Sequence, residues 1–217
     1  KDGAEPLNEF LAKIDSIKST EGLVAAFAWF HSHRMAPAFI YFVDIDLKKS
    51  DRYISTLHQN GLGLPDRDYY FRQDSGSKKL RAAYATHLAN MFKLLGEEDA
   101  AAKKNADAVM EIETSLAQSS MNAVERRDPQ KQYNKMNIDE LNKLAANINW
   151  ENYFEHIGVG GIAEVIVAQP EFFKTLNGMM KSVSLDKWKT YLKWHLVHEL
   201  SDYLSDAFVN ENFSFYG

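Results

Sequence analysis

Apolar residues recur every three or four positions over most of this chain. Leu7, Phe10, Leu11, Ile14 and Ile17 form one such stripe, and Leu23, Ala26, Phe27 and Phe30 form the next, after a Ser19-Thr20-Glu21 start. That spacing places the apolar side chains on one face of a helix. Pro37 ends the second helix, because the residue before a proline is pushed out of helical backbone. The period then changes to two. Phe39, Tyr41, Val43, Ile45 and Leu47 fall on one side of a strand and Asp44 and Asp46 on the other, which predicts a half-buried strand with its acids in solvent. The polar turn Lys48-Lys49-Ser50-Asp51 and a second extended run to Gln59 predict a hairpin over about residues 38–59.

Residues 60–70 read as a loop broken by Gly61, Gly63 and Pro65. Helical spacing returns at Leu80, Tyr84, His87, Leu88, Met91, Leu94 and Leu95, with Gly96 as the stop. It continues through Ala102, Val109, Ile112 and Leu116, so the two helices should pack as a helical hairpin. Asn137 with Glu140 reads as a capping box, and Asn149 and Ser184 as further caps. Val165-Ile166-Val167 is extended, and Pro170 suits the first turn of a helix carrying Phe172, Phe173, Leu176 and Met180. Leu185, Trp188, Leu192, Leu196, Leu200, Tyr203 and Leu204 mark the last long helix, and residues 210–217 read as irregular. The pattern predicts a mainly α fold: a single domain over 1–217 with about eight helices and one small antiparallel β-hairpin.

Composition adds limits rather than features. The chain has 217 residues, 45% hydrophobic and 25% charged, with a net charge of -5. That balance gives no electrostatic reason to expect nucleic acid as a partner. No apolar run approaches the roughly 20 residues of a membrane-spanning helix. There is no cysteine, which removes disulfides, thiolate zinc sites and cysteine nucleophiles. The chain begins Lys1-Asp2-Gly3 without an initiator Met, so a piece of a longer protein is expected, and the lack of a leader does not speak to compartment.

The most tempting chemistry is His195-Leu196-Val197-His198-Glu199. A thermolysin-type zinc site needs two histidines at i and i+4 on a helix, with a glutamate beside the first. Here the histidines stand at i and i+3 and Glu199 follows the second, so packed or surface histidines are the plainer reading. Asp44 and Asp46, with Asp51 and Asp66 nearby in sequence, offer carboxylates for acid-base work or calcium, against the plainer reading of a solvated strand face. His31-Ser32-His33-Arg34 suits a helix C-terminus, where cations are favoured. No nucleophile elbow and no phosphate-loop motif occurs. Arg126-Arg127 with Lys131 and Lys135 is too sparse for a nucleic-acid surface. The aromatic stretch Phe208 to Tyr216 reads as an edge that packs on other parts of the protein.

Gly61-Leu62-Gly63-Leu64-Pro65-Asp66-Arg67-Asp68-Tyr69-Tyr70 resembles a hallmark segment of the neprilysin and endothelin-converting-enzyme family of zinc endopeptidases. Glu125-Arg126-Arg127-Asp128-Pro129, followed by Tyr133-Asn134-Lys135-Met136, is similar to a second family stretch. The region from Gln169 to Phe173 and the ending Asn212 to Gly217 look like the family in the same order. The resemblance implies a two-lobed peptidase. One lobe carries HExxH and a downstream ExxxD that hold zinc, and the other, mostly helical, closes over the site. This chain matches the second lobe and contains no HExxH, so no catalytic or zinc residue of the family is carried onto it. Zinc is then expected in the full-length parent and not in this piece. The implied partners are the catalytic lobe of the same polypeptide and peptide substrates.

Animal members carry disulfides. The absence of cysteine here looks like the bacterial branch, with an extracytoplasmic location preferred over a cytoplasmic one. A stand-alone helical interaction module is the alternative, and an unrelated hydrolase using His195, His198 and Glu199 is a third reading. The motif residues Gly61, Gly63, Pro65, Asp66, Arg67, Asp68, Tyr69, Tyr70, Arg127, Asp128, Pro129, Tyr133 and Asn134 are expected to be structural. In this view Gly61 and Gly63 take positive φ, Asp66 turns the backbone, Arg67 pairs with an acid, and Tyr69-Tyr70 anchor the loop.

Overall fold

The computed structural model describes residues 3–217. In chain order its elements are α1 (Asn8–Asp15), α2 (Thr20–Ser32), β1 (Phe39–Asp46), β2 (Lys49–Gln59), α3 (Ser75–Leu94), α4 (Asp99–Ser119) and α5 (Pro129–Gln132). There follow β3 (Lys135–Asn137), α6 (Ile138–Leu144), α7 (Trp150–His156), β4 (Glu164–Val167), α8 (Pro170–Ser182), α9 (Leu185–Leu200) and α10 (Asp206–Tyr216). The protein is mainly α, with ten α-helices among the described residues.

Local chemistry accounts for most helix starts. Ser19 Oγ accepts from the Gly22 amide, Asn149 Oδ1 from Asn152 and Ser184 Oγ from Lys187. At α6, Asn137 Oδ1 accepts from the Glu140 amide while the Glu140 carboxylate accepts from the Asn137 amide, both at 2.9 Å, a reciprocal capping box. Past α3, Gly96 takes φ 93°, the left-handed stop that only glycine adopts freely.

The chain divides into two compact units. The first comprises residues 1–17, 63–114 and 184–217. In it α10 packs on α3, and α1 and α3 pack on α9. Its core holds Tyr84, Leu88, Met91 and Phe92 of α3, Val109 and Ile112 of α4, and Trp188, Tyr191, Trp194 and Leu196 of α9. Residues 206–216 are a helix rather than the irregular segment expected. Asn210, Asn212 and Ser214 are weak helix formers. Packing overrides them: Phe208 is buried, and the Phe215 ring stacks on His87 at 5.1 Å.

The second unit comprises residues 18–62 and 115–183. Its sheet has the order β1-β2-β4-β3, with β1/β2 and β3/β4 antiparallel and β2/β4 parallel. The hairpin is thus half of a four-stranded sheet; β3 is too short, at three residues, to show a period in sequence. One face of the sheet meets an aromatic cluster in which Phe39 touches Phe27, His31, Trp150, Tyr153 and Phe173 at ring separations of 4.7–5.9 Å.

The alternation read along β1 is corrected here. Of the expected buried face only Phe39 is fully buried; Val43, Ile45 and Leu47 are exposed, and Asp46 has no exposed surface. Two physical causes combine. The register slips between Ile45 and Asp46, and such a bulge moves later side chains to the other face, which accounts for Asp46 and Leu47 but not for Val43 and Ile45 before it. Asp46 then lies among hydrogen-bond donors that compensate its burial.

Candidate functional site

The two sequence motifs each meet a buried carboxylate: Glu113, which the sequence left unremarked, and Asp46, which it placed in solvent. In the first unit this is Glu113 on α4, with no exposed surface. Its Oε2 accepts from the Tyr70 hydroxyl at 2.6 Å and from the Gly63 amide at 3.3 Å, and its Oε1 accepts from the Tyr84 hydroxyl at 2.8 Å. The Tyr70 oxygen accepts in turn from the Leu64 amide, and Tyr216 donates to the Gly63 carbonyl at 3.1 Å. Burial pushes the Glu113 carboxyl up to about 7, against the pull of these donors toward the charged form.

The loop around this centre is set residue by residue. Gly61 takes φ 87°, a conformation that favours glycine. Gly63 does not have positive φ; its reason is space, since a Cβ there would fall on the Tyr84 hydroxyl and ring. The Asp66 carboxylate accepts from the Asp68 amide and opens the turn Arg67–Tyr70. Asp68 pairs with Arg72, whose guanidinium lies over the Tyr69 ring. The Arg67 guanidinium lies 5.4 Å from the Phe71 ring centre. Arg81 donates to the carbonyls of Tyr69 and Arg72 at 2.6 and 2.8 Å. Pro65 is exposed and Tyr70 buried.

In the second unit the buried carboxylate is Asp46. Its Oδ1 accepts from the Tyr133 hydroxyl at 2.7 Å and the Lys48 amide at 3.0 Å, and its Oδ2 from Arg52 Nε and an Arg52 terminal nitrogen, both at 3.1 Å. Arg52 also reaches Glu164, which accepts from Lys135 at 3.2 Å. The second motif therefore ties the hairpin to β3 and β4. Asp128 accepts from the Gln130 amide and Pro129 sits in the first turn of α5. Asn134 donates to the Lys131 and Ala168 carbonyls and accepts from the Val167 amide. Arg127 is exposed. The Tyr133 hydrogen bond, ahead of the Arg52 interactions, holds the Asp46 carboxyl down to about 2. Because its folded pKa is depressed, Asp46 contributes stability above its ordinary value near 4, and that contribution is lost as pH falls toward about 2. Tyr133→Phe should move the Asp46 titration upward and shift this acid loss to higher pH; carbon-13 titration of the carboxyl reads it, and an unmoved titration would refute the assignment.

His195 and His198 are packed, the plainer reading of the sequence, whereas His31 departs from it. His31 is not a helix-end cation: Nε2 bonds the Phe39 carbonyl at 2.7 Å, Nδ1 pairs with the Tyr153 hydroxyl at 2.6 Å, and burial lowers it to about 4. His195 is buried against Tyr191 and lowered by burial to about 3; the His198 ring sits between Trp194 and Tyr216. Glu199 is exposed. Among the described residues no three His, Cys, Asp or Glu are grouped so as to hold a metal ion.

The description "Peptidase family M13" matches residues 1–217. The chain belongs to peptidase family M13. Among relatives of this M13 chain, endothelin-converting enzyme 1 of Cavia porcellus is 28% identical over 228 residues, covering 98% of the chain and 29% of the relative. The zinc metalloprotease Zmp1 of Mycobacterium tuberculosis, solved in complex with an inhibitor, superposes with a TM-score of 0.93 at 33% identity over 99% of the chain. Its open state gives the same score and its partial open state 0.78. The chain spans 33% of the Zmp1 chain, so it represents about a third of its relatives' length. The hallmark loop and the Tyr133 segment both lie within the matched region.

Proposed function

We propose that this chain is the non-catalytic, substrate-gating lobe of a neprilysin-like zinc metalloendopeptidase, inactive alone, with peptide hydrolysis belonging to the full-length parent. The carrying observation is the match of nearly the whole chain to one third of a zinc metalloprotease in both its inhibitor complex and its open state, at equal TM-score. A lobe matched equally well in the inhibitor complex and the open state, and at 0.78 in the partial open state, is suited to act as a moving wall. On this reading the parent carries the zinc, its partners are the catalytic lobe and peptide substrates, and the motif residues from Gly61 to Asn134 are scaffold. Tyr70 and the Gly63 amide are spent on Glu113, Tyr133 on Asp46, and Asp66, Asp128 and Asn134 on the backbone, which favours support over contact with substrate.

The test compares parent and piece. The parent should cleave a short fluorogenic peptide in a chelator-sensitive way and spare the same sequence inside a folded domain. The 217-residue chain should cleave neither and should take up no stoichiometric zinc. Chelator-sensitive cleavage by the isolated chain would overturn the reading.

A further inference from the structure

Eleven large apolar side chains are exposed among the described residues, and six of them, Ile40, Phe42, Val43, Ile45, Leu47 and Tyr53, lie on the hairpin, Ile40 and Phe42 on one face of β1 and Val43 and Ile45 on the other. Such an accumulation on one element marks an interaction surface, whereas single exposed apolar residues do not. The same residues flank a free sheet edge. β1 stands at the end of the strand order and pairs only with β2. Edge strands are ordinarily blunted by proline, charge, bulges or very short length. β1 has eight residues without proline or lysine; its acids and its bulge stand at one end, from Asp44 to Asp46, and the run Phe39 to Val43 carries none of these. Beside it lies a cavity of about 210 Å³. Phe42, Ile45 and Leu47 form one side, Pro129 and Tyr133 of the second motif line it too, and Thr56 and Ile166, neighbours in the sheet register, form its floor. The Arg52–Glu164–Lys135 cluster supplies charge on the same sheet, the arrangement of apolar centre and polar rim found at interfaces.

We propose that this groove and the β1 edge seat a segment of the remaining two thirds of the same polypeptide, presenting one large apolar side chain to the cavity. The proposal rests on reading the chain as one lobe of a longer peptidase, and it names the surface by which that lobe is held. Its relatives carry roughly twice as much chain again beyond the matched region. A tethered segment works at high effective concentration and covers the edge continuously. A peptide substrate, which leaves after each turnover, would bare a long apolar edge in every cycle.

A photo-crosslinking residue in place of Phe42, and separately of Leu47, in the full-length parent tests this. Irradiation should give an intramolecular cross-link, mapped by mass spectrometry to a residue outside these 217, with yield unchanged by added peptide. The same probe at Val124, exposed and not among the residues lining the groove, should give at least tenfold less. Cross-links only to a second copy, only in the presence of peptide, or at neither position overturn the proposal. Chelator-sensitive hydrolysis by the same preparations separates the outcomes: activity without the cross-link removes the docking surface alone, and absence of activity from the unmodified parent removes the lobe reading.

Discussion

Glu113→Ala should be among the most damaging single changes in the chain, costing on the order of 4 kcal/mol. The carboxylate serves the Tyr70 and Tyr84 hydroxyls and the Gly63 amide. Removing it strands three donors, of which Tyr84 has no exposed surface and Tyr70 very little. A buried donor left without an acceptor costs about 1–3 kcal/mol, and the vacated volume adds a cavity cost. Glu113→Gln should be milder, because one oxygen acceptor remains and each phenol can rotate to accept from the new amide; the Gly63 amide has no such freedom. The two variants also separate packing from titration. The folded carboxyl titrates at about 7 against an ordinary 4.5. Between those values the folded chain keeps a proton that the unfolded chain has released. Its contribution to stability is therefore complete below about pH 4.5 and lost as pH rises through about 7. His31 and His195, lowered by burial, pull the other way over the same range, so the difference between the two chains isolates the component: the urea midpoint of the native chain should fall relative to that of Glu113→Gln as pH rises from 4 to 8. An unchanged pH profile in the Gln variant would assign the dependence to another group.

Glu113 also shows where sequence reasoning stopped. Helix caps such as Ser19, Asn149 and the Asn137–Glu140 pair were legible because donor and acceptor lie three residues apart. The partners of Glu113 lie 29, 43 and 50 residues away. One signal was present: Val109, Ile112, Glu113 and Leu116 occupy the i, i+3, i+4 and i+7 positions of one face, so an acid stood on an apolar stripe and required a buried partner. Asp46 gave the opposite false signal. Strict alternation placed it in solvent, and only the slip at Ile45/Asp46 with Tyr133, 87 residues on, explains its burial. The hallmark loop was legible as a motif through resemblance, but the need for each glycine was not. Gly61 answers to backbone conformation and Gly63 to a neighbour distant in sequence.

That difference makes Gly63→Ala the sharpest test of the loop as scaffold. An added methyl group falls on the Tyr84 hydroxyl and ring. Tyr84 cannot step aside: it has no exposed surface, its hydroxyl is fixed on Glu113, and its ring packs against Trp194 and Phe215. Overpacking a rigid site costs about 1–3 kcal/mol, and displacing the Tyr84–Glu113 hydrogen bond adds about 1–2 kcal/mol, so a loss of about 3 kcal/mol is expected. Gly61→Ala should cost about 1–2 kcal/mol from left-handed backbone, a penalty separate from the close approach at Gly63. Coupling decides the mechanism. Tyr84→Phe removes the hydroxyl that the new methyl meets first, so Gly63→Ala should cost at least 1 kcal/mol less in the Tyr84→Phe background than alone. Additive losses in that double-mutant cycle would mean that Gly63 is required for some reason other than the close approach of Tyr84.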